Sequence, residues 1–115
     1  MRGEIQVAHH VLMVMTNPVE GREDEYNTWY DTVHLPEVLQ VPGFVAARRY
    51  VAGASIGAPS PYRYLAIYEI EADDLTAAVA ALQAAAPTLD ISGAIDRSEV
   101  SAVGFTAIGD RLTAS

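Results

Sequence analysis

Residues 8–16, AHHVLMVMT, are apolar on both of their alternating sets of side chains. His9, Val11, Met13 and Met15 form one set, and His10, Leu12, Val14 and Thr16 the other. A strand points successive side chains to opposite sides of its sheet, so a strand of this kind needs cover on both sides. Asn17-Pro18 closes it with a turn signal.

A helix pattern follows. Tyr26, Trp29, Tyr30 and Val33 recur at i, i+3, i+4 and i+7, one apolar stripe. Glu20, Glu23, Asp24 and Glu25 suit the positive end of the helix dipole. Pro36 disfavours α geometry at Leu35, which predicts a helix end near His34, then a short turn over 37–40 and a break at Pro42-Gly43. Residues 44–52 read as a second strand, with Phe44, Ala46 and Tyr50 opposite Val45, Ala47 and Val51. Residues 53–61 read as a hairpin loop. Residues 62–70 read as a third strand with Tyr62, Tyr64, Ala66 and Tyr68 on one side. Asp73 or Asp74 can cap a second helix striped by Leu75, Val79 and Leu82 and ended by Pro87. A loop over 88–96, a fourth strand over 98–108 and a loose tail complete the chain.

The order β-α-β-β-α-β predicts an α+β, ferredoxin-like sandwich: a four-stranded antiparallel sheet with two helices on one face. At 115 residues this is a single domain, with its core over about 8–108. Two helices leave the other apolar sheet face bare, so the expected partner is a second copy, giving a homodimer through that face. A monomer with a lightly exposed sheet is the alternative.

Half the residues are apolar and 19% are charged, which excludes a disordered chain. The longest apolar run, Val11 to Met15, is far too short to span a membrane. Residues 1–7 hold one Arg and no signal-like apolar stretch, so a cytoplasmic location is expected. A net charge of −8 repels nucleic-acid backbones and acidic membranes. The absence of cysteine rules out disulfides, thiol catalysis and thiolate metal sites. His9 and His10 face opposite ways on a strand and cannot chelate one ion, so neither a metal nor a cofactor is expected.

The site candidates gather between Trp29 and Phe44. His34 lies at the end of the first helix, with Tyr30 at i−4 and Asp31 at i−3 on its side. An Asp beside an imidazole fixes its tautomer and raises its basicity, as a general acid or base requires. His34 can equally be a helix-end residue that gains from the dipole. Arg48 and Arg49 are adjacent on a strand and must face opposite ways. A covered guanidinium needs a carboxylate, such as Glu69, or an anionic ligand. Tyr50, Tyr64 and Tyr68, with Tyr26, Trp29 and Tyr30, can line a pocket for a flat ring or simply form core.

The run NPVEGREDEYNTWYDTVHLPEVLQVPGFVAARRY resembles the EthD-like branch of the dimeric α/β-barrel superfamily. The matching features are Asn17-Pro18, Trp29-Tyr30, His34-Leu35-Pro36, Pro42-Gly43-Phe44, Arg48-Arg49-Tyr50 and the run Tyr64 to Glu69. The resemblance covers roughly residues 8 to 82 and implies a ferredoxin-like protomer packed sheet to sheet on a twin, with a cleft between sheet and helices. Relatives include cofactor-free monooxygenases, muconolactone isomerases, decarboxylases or dehydratases, haem-degrading enzymes and stress-responsive proteins. The family's histidine after the first helix corresponds to His34 and favours a pocket role over a plain helix end; nothing comparable supports Arg49 or Tyr68 individually.

The expected activity is cofactor-free proton-transfer chemistry (isomerisation, dehydration, decarboxylation or cyclisation), or oxygenation, on a small hydrophobic oxygenated ring metabolite. His34 would move the proton and Asp31 would orient it. Tyr30, Tyr68 or an arginine would stabilise an enolate or phenolate, and Trp29, Arg49, Tyr68 and Tyr50 would bind the ring. The alternatives are a non-catalytic metabolite or haem binder, an uncharacterised stress-responsive protein of the same fold, and a purely structural module.

Overall fold

A computed structural model describes residues 8–115; the reading of a leader-free N-terminus falls on residues 1–7, outside the described residues. Strands β1 (Ala8–Thr16), β2 (Phe44–Val51), β3 (Tyr64–Ala72) and β4 (Ser101–Thr106) form one sheet in the order β2-β3-β1-β4. Every neighbouring pair is antiparallel. Helices α1 (Glu23–Trp29), α2 (Leu35–Val38) and α3 (Leu75–Ala85) complete the ferredoxin-like order, α1 and α2 being joined by a π-helical turn over Tyr30–His34. Among the described residues, no helix is long and apolar enough to cross a membrane.

One correction concerns the first helix. It does not stop at His34 but continues through Pro36, with Leu35 in ordinary α geometry. Proline has no N–H and crowds the carbonyl four residues back. The chain accommodates this by widening the turn before it, so that the Leu35 N–H bonds to the Tyr30 carbonyl, five residues back. Helical geometry resumes to Val38, which is buried. At the other helix, Asp74 is the cap, its carboxylate accepting from the Thr76 N–H at 2.9 Å. The face of α3 packed on the core is Leu75, Ala78, Ala81, Leu82 and Ala85. Val79, expected in that stripe, is not among them. The third strand runs two residues later than expected, and residues 98–100 precede β4 rather than belonging to it.

A second correction concerns β2. The ladder with β3 slips between Phe44 and Ala46, a β-bulge that places Phe44 opposite Ile70 and Ala46 opposite Glu69. The extra residue shifts the alternation by one. Ala47, Arg49 and Val51 therefore join Phe44 on the helix side, and Ala46, Arg48 and Tyr50 face away. The expected grouping of Phe44 with Ala46 and Tyr50 does not form.

The core lies between helices and sheet: Leu12 on β1, Phe44 on β2, Ala66, Tyr68 and Ile70 on β3, and Tyr26, Trp29, Tyr30 and Val38 from the first helix. His10 is buried there and fully used. Its Nδ1 lies 2.8 Å from Thr106 Oγ1 and its Nε2 2.9 Å from the Ala72 carbonyl, tying β1 to β4 and the end of β3. His9 is exposed on the other side, so the pair does not chelate. The open side of the sheet carries Val11, Met13, Met15, Tyr50, Leu65, Ile67, Val103 and Phe105. Val103 is 47% and Phe105 52% exposed, so among the described residues nothing covers this apolar face.

Candidate active site

Tyr26, Trp29 and Tyr30 stand on successive turns of the first helix and press onto β2 and β3. Tyr26 is edge-on to Tyr30 at 5.4 Å, and Trp29 is edge-on to Tyr30 at 5.1 Å between ring centroids. The π-turn brings His34 into the same cluster. Its imidazole stacks on the Trp29 indole at 4.6 Å and 23°, and meets the Tyr30 ring edge-on at 5.2 Å. Four of the expected residues are therefore near one another: Trp29, Tyr30, His34 and, beneath Tyr30 on β3, Tyr68.

Asp31 does not orient His34. It turns to the other side and accepts from Arg49 Nη1 at 2.9 Å. The widened turn changes the angular spacing on which an i, i+3 pair depends, and it separates the two side chains. Arg49 donates its other arm to Asn27 Oδ1 at 2.7 Å. Its guanidinium lies over three phenol rings, 4.5 Å from the Tyr30 centroid, 5.2 Å from Tyr64 and 5.4 Å from Tyr26. The Arg49 side chain is only 12% exposed, whereas Asp31 is 59% exposed. Asp31 thus serves the arginine, and Glu69 is not the arginine's partner.

Tyr50 is separated from these groups by the sheet. It pairs with Leu65 on the open side and is 44% exposed, so it does not share a cleft with His34.

Sequence reasoning missed Asn27, which links Arg49 to Tyr64: its Nδ2 donates to the Tyr64 hydroxyl at 3.2 Å, and that hydroxyl donates to Glu23. Glu23 also takes Arg63 Nη1 at 2.7 Å. The available signal was the spacing Glu23, Asn27, Asp31, a polar row at i, i+4 and i+8 beside the aromatic stripe.

His34 and Tyr68 are chemically unusual. Among the described residues, the buried side-chain nitrogen and oxygen atoms with no hydrogen-bond partner are His34 Nδ1 and the Tyr68 hydroxyl. Burial lowers the His34 pKa from its ordinary value, with the Glu37 carboxylate opposing, so the ring is held toward its neutral, basic form. Burial, followed by the charge of Tyr26, pushes the Tyr30 phenol up to about 12. Burial next to Tyr30 pushes Tyr68 up further. Both phenols therefore keep their protons at neutral pH and are available as donors. Neutral imidazole beside protonated phenols is an arrangement that can accept a proton from carbon and stabilise the resulting oxyanion.

Five surface cavities among the described residues have no wall from His34, Tyr30, Tyr68 or Arg49, and one of them, a groove between α1 and residues 90–93, touches the cluster at Trp29. Among the described residues, no group of three His, Asp or Glu side chains is placed to hold a metal ion.

No protein-family model matches the sequence, and no curated protein sequence does. Solved structures do match in shape. A "putative monooxygenase" from Shewanella loihica PV-4 superposes with a TM-score of 0.58 at 12% identity, over 92% of this chain and all of the other. HapK from Hahella chejuensis superposes with a TM-score of 0.52 at 18% identity, over 93% of this chain and 99% of the other. At these identities the likeness is one of fold, and whole-length coverage on both sides makes this chain a small α+β protein of that same ferredoxin-like architecture.

Proposed function

We propose that this chain is an EthD-like, dimeric α/β-barrel enzyme that acts without a cofactor on a small, hydrophobic, oxygenated ring compound, and that His34 is its base. The observation that carries the reading is the pair of buried, unpartnered polar atoms, His34 Nδ1 and the Tyr68 hydroxyl. Burying a polar group without a partner is costly, and such groups in a native fold call for a ligand or a catalytic role. In the proposed step the bond from a ring carbon to an acidic hydrogen breaks. The proton passes to the imidazole, and the electron pair moves onto the adjacent carbonyl, where Tyr68 and Tyr30 donate to the developing oxyanion. Returning the proton elsewhere on the ring gives isomerisation, and loss of a neighbouring hydroxide gives dehydration. Capture of the enolate by dioxygen gives oxygenation, the class named for the Shewanella protein of similar fold. The cysteine-free composition is in keeping with the proposed cytoplasmic setting.

The test uses 2-tetralone, a bicyclic ring ketone with acidic α-hydrogens, in heavy water. The wild type is expected to speed α-proton exchange, read by proton NMR, and His34→Ala is expected to lose about a hundredfold of that rate. Exchange that is as fast in His34→Ala as in the wild type sinks the assignment.

The same reading includes a second copy of the chain on the open sheet face, supported by the exposed Tyr50, Val103 and Phe105 there. Sedimentation should show a dimer that Phe105→Lys converts to a monomer; a wild type that sediments as a monomer throughout the micromolar range ends that part of the proposal. A non-catalytic binder, or a module without any ligand, is favoured by a different observation: the aromatic rings fill the space beside His34. Recovery of a bound ring compound unchanged, with no α-exchange, would select the binder. A coloured complex on addition of haem, lost in His34→Ala, would select a haem protein.

A further inference from the structure

Trp29 is the only tryptophan in the chain, and two different surroundings meet at its indole. One is the His34 imidazole stacked on it. The other is a surface groove of about 650 Å³ between α1 and the segment 90–93, walled by Trp29, Val33 and Ile91 and rimmed by Asp24, Glu25 and Asp90. His34 does not line that groove, and Trp29 is the residue that the groove and the imidazole share. A single hydrogen bond fixes the indole from the groove side, Nε1 donating to the Asp90 carbonyl at 2.6 Å. The segment that supplies this carbonyl is tied down on both sides of it. The Asp90 N–H points to the Glu37 carboxylate at 3.2 Å, and Arg22 Nη1 donates to the Gly93 carbonyl at 3.1 Å.

We infer that this groove is the way in to His34, that Trp29 is its gate, and that it admits uncharged ring ketones and phenols while rejecting carboxylates. The inference rests on the proton-transfer reading of His34 and names the substrate class for it. The groove is a wide and open depression, and its apolar lining of indole, valine and isoleucine suits one face of a flat ring. The rim decides the charge. Arg22 neutralises Glu25 through a bidentate pair at 3.0 and 2.6 Å, but Asp24 and Asp90 stay exposed at the mouth. An incoming carboxylate meets both of these within a chain of net charge −8, whereas a neutral ketone does not. Outward rotation of the indole breaks its hydrogen bond to Asp90 and its ring contacts with Tyr26, Tyr30 and His34, and it uncovers the imidazole whose Nδ1 has no partner.

A single tryptophan makes the gate directly observable, because the indole N–H gives one cross-peak in a proton–nitrogen correlation spectrum. Titration with 2-tetralone should shift that peak, with saturation at the ketone concentration that half-saturates α-exchange. The carboxylate 2-naphthoate should bind at least tenfold more weakly. In the double variant Asp24→Lys, Asp90→Lys, both changes lying on exposed side chains, that tenfold preference should disappear. If exchange is catalysed and depends on His34 while the indole peak stays still, the gate is refuted and the proposed chemistry survives. If the peak shifts saturably without any exchange, the chemistry is refuted and the groove survives as a binding site. Wild-type protein that takes 2-naphthoate as readily as 2-tetralone overturns the substrate class, and a still peak with no exchange overturns both readings.

Discussion

The aromatic layer between the first helix and the sheet has two ends made from the same kinds of residue and finished in opposite ways. At the Arg49 end every polar group described finds a partner. Tyr26 meets Thr16 at 2.5 Å, Tyr64 donates to Glu23, and Asn27 bridges Tyr64 and Arg49. At the His34 end, one turn further along the same helix, an imidazole nitrogen is buried without a hydrogen-bond partner, as is the Tyr68 hydroxyl next to Tyr30 on the sheet below. The first end has the chemistry of a clasp that holds α1 on β2 and β3. The second keeps its polar atoms free at a cost in stability, as sites made for a ligand do.

Breaking the clasp should have the largest effect. Arg49→Ala strands Asn27 and Asp31 and removes the cation from three rings, for an expected loss of about 3 kcal/mol in urea denaturation. Loss below about 1 kcal/mol would mean that the two ends are not differently built. Tyr26→Phe leaves the buried Thr16 hydroxyl alone and should cost about 2 kcal/mol. Its counterpart at the other end, Tyr68→Phe, removes a hydroxyl that has no partner and should change stability by less than about 0.5 kcal/mol. The same change should slow 2-tetralone exchange by about tenfold or more. Equal destabilisation by the two Tyr→Phe changes would erase the contrast.

The smallest effect should come from pH. The folded His34 binds its proton less readily than the unfolded residue, whose ordinary pKa is 6.5. The unfolded chain then takes up more protons as pH falls. The contribution is thus fully present above the unfolded value and is lost as pH falls through the lowered folded one. Urea midpoints measured at about pH 7 and about pH 5 should differ less in His34→Gln than in the wild type. An unchanged difference would remove burial of His34 as a source of the slope.

Much of this was legible before any coordinates. Alternating apolar sets gave the strands, the i, i+3, i+4, i+7 spacing gave the aromatic stripe, and the pair Asp73-Asp74 announced α3, of which Asp74 is the cap. What stayed hidden depended on single-residue irregularities. Local sterics at Pro36 argue for a stop, but the packing of Val38 and Leu35 on the core outweighs the local preference, and a π-turn absorbs the misfit. That same turn sends Asp31 to Arg49 instead of to His34. Which arginine faces the tyrosines depended on a bulge that leaves no compositional trace, and it also placed Tyr50 outside the cluster. Asn27 was overlooked because a polar residue between helix positions of known type attracts no attention until its partners are known.

The bulge at Phe44–Ala46 has a consequence for how this strand tolerates change. Sidedness along a strand is a matter of odd and even, and the slip makes β2 one residue longer than the ladder it serves. A chain shortened by Val45 alone would run straight and still deliver Arg49 to the tyrosines. A chain that kept every residue but ironed out the slip would deliver Arg48 in its place and turn Tyr50 inward. The choice between two identical neighbours is thus stored as a parity, in a number of residues instead of in any side chain.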